Sequence, residues 1–336
     1  MSGTTRAGAG RPTPRRRTLL RAGAAAGALG AAGWWLLPDG DGGPRGRITF
    51  ATGVPTGVYE RYGTLLDRRL ARDVPALRMR LVPSQGSVQN IDMLISGRAD
   101  VTIAQSDAVA AYLNRGGRDA GRLRACARLY DDYMQLIVPA DAPVRDVSGL
   151  RGLRVGLGEA RSGVSLSAGR LLAAAGLGGP EDLTRVAAGI DEMPGLLERG
   201  ELDAFFWSGG LPTSAIQQLA ARLPVRLVPL GGLLSLLHGM KPETRHYRAA
   251  VVPADAYPGV QGGEPVPTVA IANLLVTTDR MDAGLVEALT RSLINSRDQI
   301  GSEVHAAQKV DLRTAIYTDP LPLHRGAERY YRAVKP

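Results

Sequence analysis

The sequence predicts an α/β protein of two similar lobes. Three observations carry that reading. From residue 47 onward, short β-rich runs alternate with helical patterns, as parallel α/β units do. A helix–Gly–Asp–strand–loop pattern occurs twice, with Leu94, Gly97 and Asp100 answered by Leu197, Gly200 and Asp203 at an offset of 103. A strand–[Ser/Thr]-Gly-Val–helix pattern also occurs twice, as Thr56-Gly57-Val58 and as Ser162-Gly163-Val164, at an offset of 106.

The elements follow in order. Arg47–Ala51 is a strand that stops at Gly53, and Tyr59–Arg72 is the first helix. Arg78–Val82 returns as a strand, and helix Val88–Ser96 ends at Gly97, the residue type that helix C-termini prefer. The chain turns through Asp100 into the buried strand Val101–Ala104, then into helix Asp107–Asn114. Met134–Val138 is the next strand. The second copy comprises strand Arg154–Gly158, helix Val164–Ala175, helix Met193–Arg199 and strand Ala204–Trp207. Helix Thr213–Ala221, strand Arg226–Pro229, strand Ile271–Thr277 and helix Ala283–Gln299 complete the chain.

In open α/β sheets, ligands collect beyond the carboxyl ends of the strands. Two such lobes face to face make a cleft lined by loops of both, with closure by a hinge. In "FATGVPTGVYERYG" the loop ahead of the helix leaves backbone N–H groups free, and an anion suits that place. The repeat makes this loop one half of a clamp.

Composition narrows the class. At 336 residues, with 44% hydrophobic and 22% charged residues, the chain is globular and long enough for one large domain or two lobes. Its single cysteine, Cys126, excludes an internal disulfide and a multi-cysteine metal site, and "LRACARLY" is the setting of a buried thiol. The net charge of +9 is largely local. Residues 1–46 hold seven arginines against two aspartates, a net of +5, which leaves a modest +4 for the body. No basic stripe with interleaved aromatics occurs, so no nucleic-acid partner is expected.

The first 46 residues read as an address. "RRRTLLR" resembles a twin-arginine export signal, with Arg16–Arg17, apolar Leu19–Leu20 and basic Arg21, followed by an Ala/Gly/Leu stretch from Ala22 to Leu37. That stretch is short for a full span, Trp34 and Trp35 suit a membrane interface, and no clear cleavage site follows. The chain is expected to be exported, either released or tethered through this segment.

Catalytic and metal signatures are missing. His238, His246, His305 and His324 lack metal-site spacing, and no G-x-S-x-G elbow, S-x-x-K pair or phosphate loop occurs. The expectation is a binding protein and not an enzyme, with no cofactor and no metal. His324, in "LPLHRGAERYY", is expected to hold a turn ahead of a helix by hydrogen bonding.

Six stretches carry a family resemblance: "ATGVPTGVY", "SQGSVQNIDML", "GRADVTIAQSD", "WSGGLPTSAIQQLA", "PVPTVAIANLLVTT" and "LPLHRGAERYY". Together, over residues 48–332, the chain resembles the TAXI-type solute receptors of tripartite ATP-independent periplasmic (TRAP) transporters. The resemblance implies a two-lobe periplasmic-binding-protein fold of type II kind, joined by a two-strand hinge. Lobe 1 is then residues 47–138 plus 268–336 and lobe 2 residues 139–267. It further implies capture of a small carboxylate-bearing solute, a glutamate-like amino acid or an organic acid, and delivery to an integral membrane permease driven by an ion gradient. A sensor subunit or the receptor of an ATP-driven importer would have the same lobes. A bilobal enzyme is the reading from another class.

Carried onto this chain, the family's ligand loops fall on Thr56, Gly57, Val58 and Tyr59; on Ser87 and Asn90; on Gln105, Ser106 and Asp107; on Ser162, Gly163 and Val164; and on Trp207, Ser208 and Gly209. Tyr59 and Trp207 would wall the aliphatic part of a solute. Asp107 would receive an ammonium group or cap its own helix. Arg161, just ahead of the Ser162-Gly163 turn, would grip a carboxylate with two parallel hydrogen bonds or point into solvent. The chain departs from the family pattern at Val164-Ser165-Leu166 and at "SQGS", both in the expected cleft.

Overall fold

The computed structural model describes Met1, Gly3 and residues 44–55, 57–304 and 310–334. The chain divides into the segment Met1–Gly43 and one compact unit, Pro44–Pro336. The expected export signal, Arg16–Arg17 included, lies outside the described residues, as does Thr56.

The first repeat unit builds β1 (Gly46–Ala51), α1 (Val58–Asp73), β2 (Leu77–Val82), α2 (Ser87–Ile95), β3 (Val101–Gln105) and α3 (Ser106–Asn114). A 17-residue strand, β4 (Leu123–Pro139), leads into the second unit. That unit comprises β5 (Arg154–Gly156), α4 (Gly163–Ala174), β6 (Thr184–Val186), α5 (Met193–Glu198), β7 (Ala204–Gly209) and α6 (Ser214–Ala220). Then come β8 (Val225–Leu227), α7 (Leu234–Met240), β9 (Tyr247–Val252), β10 (Val266–Thr278), α8 (Ala283–Asn295), α9 (Arg297–Glu303) and α10 (Arg325–Val334).

One sheet joins them in the order β2-β1-β3-β10-β4-β7-β5-β6, with β8 beside β4 and β9 beside β10. Its two halves match. β1 pairs parallel with β2 and β3, and β3 antiparallel with β10. Likewise β5 pairs parallel with β6 and β7, and β7 antiparallel with β4. The sequence repeat is therefore a structural one, down to its hydrogen bonds. Gly97 N donates to Leu94 O at 3.1 Å and Gly200 N to Leu197 O at 3.0 Å, with left-handed φ of +72° and +68°. Asp100 Oδ2 accepts from Thr49 N at 2.7 Å, and Asp203 Oδ2 from Arg154 N at 2.8 Å. A glycine ends each helix because only it takes that backbone cheaply, and the aspartate then ties the turn to the neighbouring strand.

Separate apolar cores make the two lobes. One holds side chains between Met134 and Ile271; the others hold Ile48 to Tyr130 together with Leu274 to Tyr331. β4 and β10 pair antiparallel and each crosses from one lobe to the other. β4 buries Cys126 and Leu129 in the first lobe, then Met134 and Leu136 in the second; β10 changes core between Ile271 and Leu274. At this seam stand the polar residues Asp131, Asp132 and Asn273, and the β4–β10 register shifts between Ala272 and Leu274. A bulge of this kind bends the paired strands.

Two differences from the expected elements have local causes. The strand expected at Met134–Val138 is the end of β4, whose apolar alternation is broken at the seam by Asp131-Asp132. Helix Ala283–Gln299 divides at Ser296, whose hydroxyl bonds the Ser292 and Leu293 carbonyls. His324 holds its turn as expected: it is buried, and its Nδ1 accepts from Gly326 N at 3.1 Å. Cys126 is buried too, and desolvation pushes its thiol pKa up to about 12, so it stays protonated and inert.

Candidate functional site

The helix starts of α1, α2 and α4 and the carboxyl ends of β3 and β7 converge on one cleft between the lobes, with about 580 Å³ of empty volume including open solvent. Of the residues singled out in the sequence, Gly57, Val58, Tyr59, Ser87, Gln105, Ser162, Gly163, Val164, Trp207 and Ser208 line it. Asn90, Ser106, Asp107, Arg161 and Gly209 do not.

Each absence has a structural reason. Asn90 is fully buried in lobe 1, where Nδ2 donates to Thr52 O at 2.6 Å and to Ile103 O at 3.0 Å. Ser106 is buried at the start of α3, and Gly209 ends β7. Asp107 does not cap its helix and lies outside the cleft lining. Its Oδ2 accepts from Arg170 Nη1 at 2.6 Å, Tyr247 Oη at 2.7 Å and Ser167 Oγ at 3.3 Å. The other lobe's own guanidinium takes Oδ2, while the buried Oδ1 has no hydrogen-bond partner. Burial works against the Arg170 charge, but Asp107, Tyr247 and Glu243 outweigh it and hold the pKa above the ordinary value. Arg161 turns its guanidinium to Asp92 on α2, while its backbone N donates to Gln85 Oε1 at 3.2 Å. It ties the lobes together outside the cleft lining.

The lobes meet closely. Gln89 N donates to Arg161 O at 3.2 Å. A Cβ on Gly163 would lie 2.0 Å from Gln105 Oε1, so a larger residue there requires the Gln105 side chain, held by Asp132 and Ser208, to shift. Gly86, at φ +120°, lets α2 begin within van der Waals reach of Ser162. Ser162 caps α4, its Oγ accepting from Ser165 N at 3.0 Å. That leaves the Gly163 and Val164 amides, which have no acceptor inside a helix start, at the cleft wall.

The floor is polar. Gln105 Nε2 donates to Asp132 Oδ2 at 3.0 Å and to Ser208 Oγ at 2.7 Å. Gln105 and Ser208 are 103 residues apart, the offset of the repeat, so equivalent loop positions of the two lobes bond each other over the seam. Tyr59 Oη donates to Asn273 Oδ1 at 2.5 Å and lies 3.1 Å from Ser87 Oγ, so the ring is a fixed wall. Trp207 Nε1 is held by Thr213 Oγ1 at 3.1 Å. Asp132 lies 3% exposed, and its Oδ1, like Gln105 Oε1, has no hydrogen-bond partner. Burial raises the Asp132 pKa to about 6 against the pull of the Asn273 and Gln105 side-chain amides, with Asp131 and Asp107 assisting the rise.

Asp132, Glu159, Gln85, Gly158, Gly189 and Ile190 line the cleft without having been singled out in the sequence. A signal for Asp132 was present: an acidic pair inside an apolar strand-forming run, "LYDDYMQLIVP". Among the described residues no cluster of His, Cys, Asp or Glu suits a metal ion, and no helix is long and apolar enough to cross a membrane.

The fold is two-lobed α/β, with a polar cleft at its hinge. Residues 50–334 match the NMT1-like family, and the chain belongs to it. A structure from Bordetella bronchiseptica RB50 resembles it at a TM-score of 0.50 and 15% identity, over 86% of this chain and 90% of that one. At that identity the likeness speaks for the fold alone. An ancestral arginine-binding protein bound to arginine gives a TM-score of 0.49 at 13% identity, over 77% of this chain and 98% of that one. The periplasmic aliphatic sulphonate binding protein of Escherichia coli gives 0.46 at 14%, over 87% and 84%.

Proposed function

We propose that this chain is an extracytoplasmic solute receptor that closes its lobes around a small molecule and hands it to a membrane transporter. The observation that carries the reading is the floor of the cleft. Buried Asp132 Oδ1, Gln105 Oε1 and Asn273 Nδ2 have no hydrogen-bond partner at a hinge between two cores. A fold tolerates such costly atoms where a ligand satisfies them. The lobes are residues 47–138 with 268–336, and 139–267, turning about β4 and β10. Among the described residues the ligand-facing set is Gly57–Tyr59, Ser87, Gln105, Ser162–Val164, Trp207 and Ser208, to which the lining adds Asp132.

A thermal-shift screen of the full chain against amino acids and organic acids tests this reading. A site-specific solute at 100 times its Kd adds about 2.7 kcal/mol of stability. A screen in which no solute moves the transition sinks the proposal. The partner follows from the TAXI resemblance: a TRAP-type permease, driven by an ion gradient. Cross-linking in membranes tests it, since capture of a nucleotide-binding importer in place of such a permease would reassign the partner. Export runs through the twin-arginine route, so Arg16→Lys with Arg17→Lys strands the chain in the cytoplasm; normal export of that double variant argues for the general secretory route.

A further inference from the structure

Both aromatic walls of the cleft have their polar tips tied back to a hinge strand. Tyr59 gives its hydroxyl proton directly to Asn273 on β10. In the other lobe the tie to β4 is longer. Trp207 Nε1 donates to Thr213 Oγ1 at 3.1 Å. That hydroxyl is fixed as an acceptor, because its own proton goes to Gly210 O at 2.9 Å. Thr213 N donates to Tyr257 Oη at 2.9 Å, and Tyr257 Oη donates to Gln135 Oε1 on β4 at 2.7 Å. Gln135 is the residue paired with Trp207 across the β4–β7 ladder, so the bonds close a ring. Tyr257 and Gln135 are each 1% exposed, out of reach of any solute. Burial holds the Tyr257 pKa above its ordinary value, which keeps the hydroxyl a donor.

Two further observations show what the ring controls. A Cβ on Gly209 would lie 2.6 Å from Trp207 Nε1, so a glycine there gives the indole its room. Trp207 also stands where two spaces meet. It lines the cleft and an adjoining cavity of about 1470 Å³, open solvent included, that Leu211, Thr213 and Gln218 border. An indole without its tie has that second space to move into.

We propose that Tyr257 is a positioning residue of the cleft: through Thr213, and braced on the hinge strand by Gln135, it holds Trp207 as the partition between the two cavities. Tyr257 touches no solute itself. The inference rests on the receptor reading for its functional consequence, whereas the positioning can be measured without any solute.

Trp207 is one of three tryptophans, with Trp34 and Trp35, so the full chain carrying Trp34→Phe and Trp35→Phe reports on it alone. Acrylamide quenching of its fluorescence is the probe. Thr213→Val removes the acceptor of the indole N–H and should raise the quenching constant about twofold or more. Thr213→Ser should restore the parent value. Tyr257→Phe, two hydrogen bonds away from the indole, should raise the constant as well. The double variant should quench no more than the larger single one, because both cut the same chain of bonds. A parent-like constant in Tyr257→Phe overturns the proposal, and so do two effects that simply add. Tyr257→Phe also strands Gln135 Oε1 and Thr213 N, so far-UV circular dichroism follows its folding. If it does not fold, Gln135→Leu, which removes only the brace, takes its place under the same two criteria.

The folded variants then meet the amino-acid and organic-acid panel of the thermal-shift screen. A member that binds the parent should bind Tyr257→Phe about fivefold more weakly or worse, since a loose indole must be ordered again on binding. Thr213→Ser should bind it as the parent does. Equal binding by Tyr257→Phe overturns the role in the cleft. A panel that leaves the parent silent sinks the receptor reading, and the quenching result still decides whether Tyr257 holds Trp207.

Discussion

At the scale of single residues, Asp132 works against the fold it sits in. Its pKa is raised from 3.8 to about 6, chiefly by burial. The sign follows from linkage. A raised carboxyl binds its proton more tightly in the folded chain, so its favourable contribution is full below about pH 4. It is lost as pH rises through about 6. Above pH 6 the charged form costs roughly 3 kcal/mol, since each tenfold change in proton affinity is worth about 1.4 kcal/mol. Asp132→Asn is therefore expected to raise the stability of the ligand-free protein by up to about that amount at pH 7–8, and to change nothing below pH 4. Urea unfolding at both pH values measures it, and a less stable variant at pH 8 refutes the assignment. A variant that is more stable yet no longer binds also separates function from misfolding.

At the scale of elements, the start of α4 decides whether the lobes can approach. Gly163 is placed so that a Cβ would strike Gln105 Oε1 at 2.0 Å and approach Ser87 Oγ at 3.0 Å. Both struck atoms belong to lobe 1, whereas α4 packs its buried face, Val164, Ala168, Leu171 and Leu172, into lobe 2. Gly163→Ala should leave lobe 2 intact, since alanine suits a helix start and stiffens the unfolded chain by about 0.4–1 kcal/mol. Closure should fail instead. The expected outcome is at least a tenfold loss of solute affinity with unfolding stability changed by no more than about 1 kcal/mol. Unchanged affinity would show that the lobes need not close this far.

At the scale of the molecule, two ion pairs from the start and body of α4 are among the contacts that hold the lobes together. One is the buried Asp107–Arg170 pair with Tyr247, between α3 and α4; the other is Arg161–Asp92, between the α4 loop and α2. Removing one partner of a buried pair leaves a stranded charge, at about 3–5 kcal/mol. The Arg161 side chain is 43% exposed, so water screens that pair and it holds less strongly. Solute shifts the balance between open and closed forms by its preference for the closed one. Small-angle scattering of the full chain should therefore give a smaller radius of gyration with saturating solute, and Gly163→Ala should not show the decrease. An equal radius with and without solute counts against the hinge.

The repeat was legible in the sequence because its signals are local. Leu94-Gly97 and Leu197-Gly200 each close a helix with a bond three residues long, so spacing alone encodes them, whereas the bonds of Asp100 to Thr49 and of Asp203 to Arg154 join strands that only the fold brings together. The loops at Gly57–Tyr59 and Ser162–Val164 were legible for the same reason: a helix start exposes amides whatever surrounds it. Which charged groups face the cleft was decided only by the tertiary structure. Asp107 and Arg170 are 63 residues apart and neutralise each other across the lobes. Asp132 reaches the floor because β4 leaves one core and enters another at that residue. Local chemistry fixes turns and helix ends, whereas a charge takes its role from whichever distant partner the packed lobes bring to it.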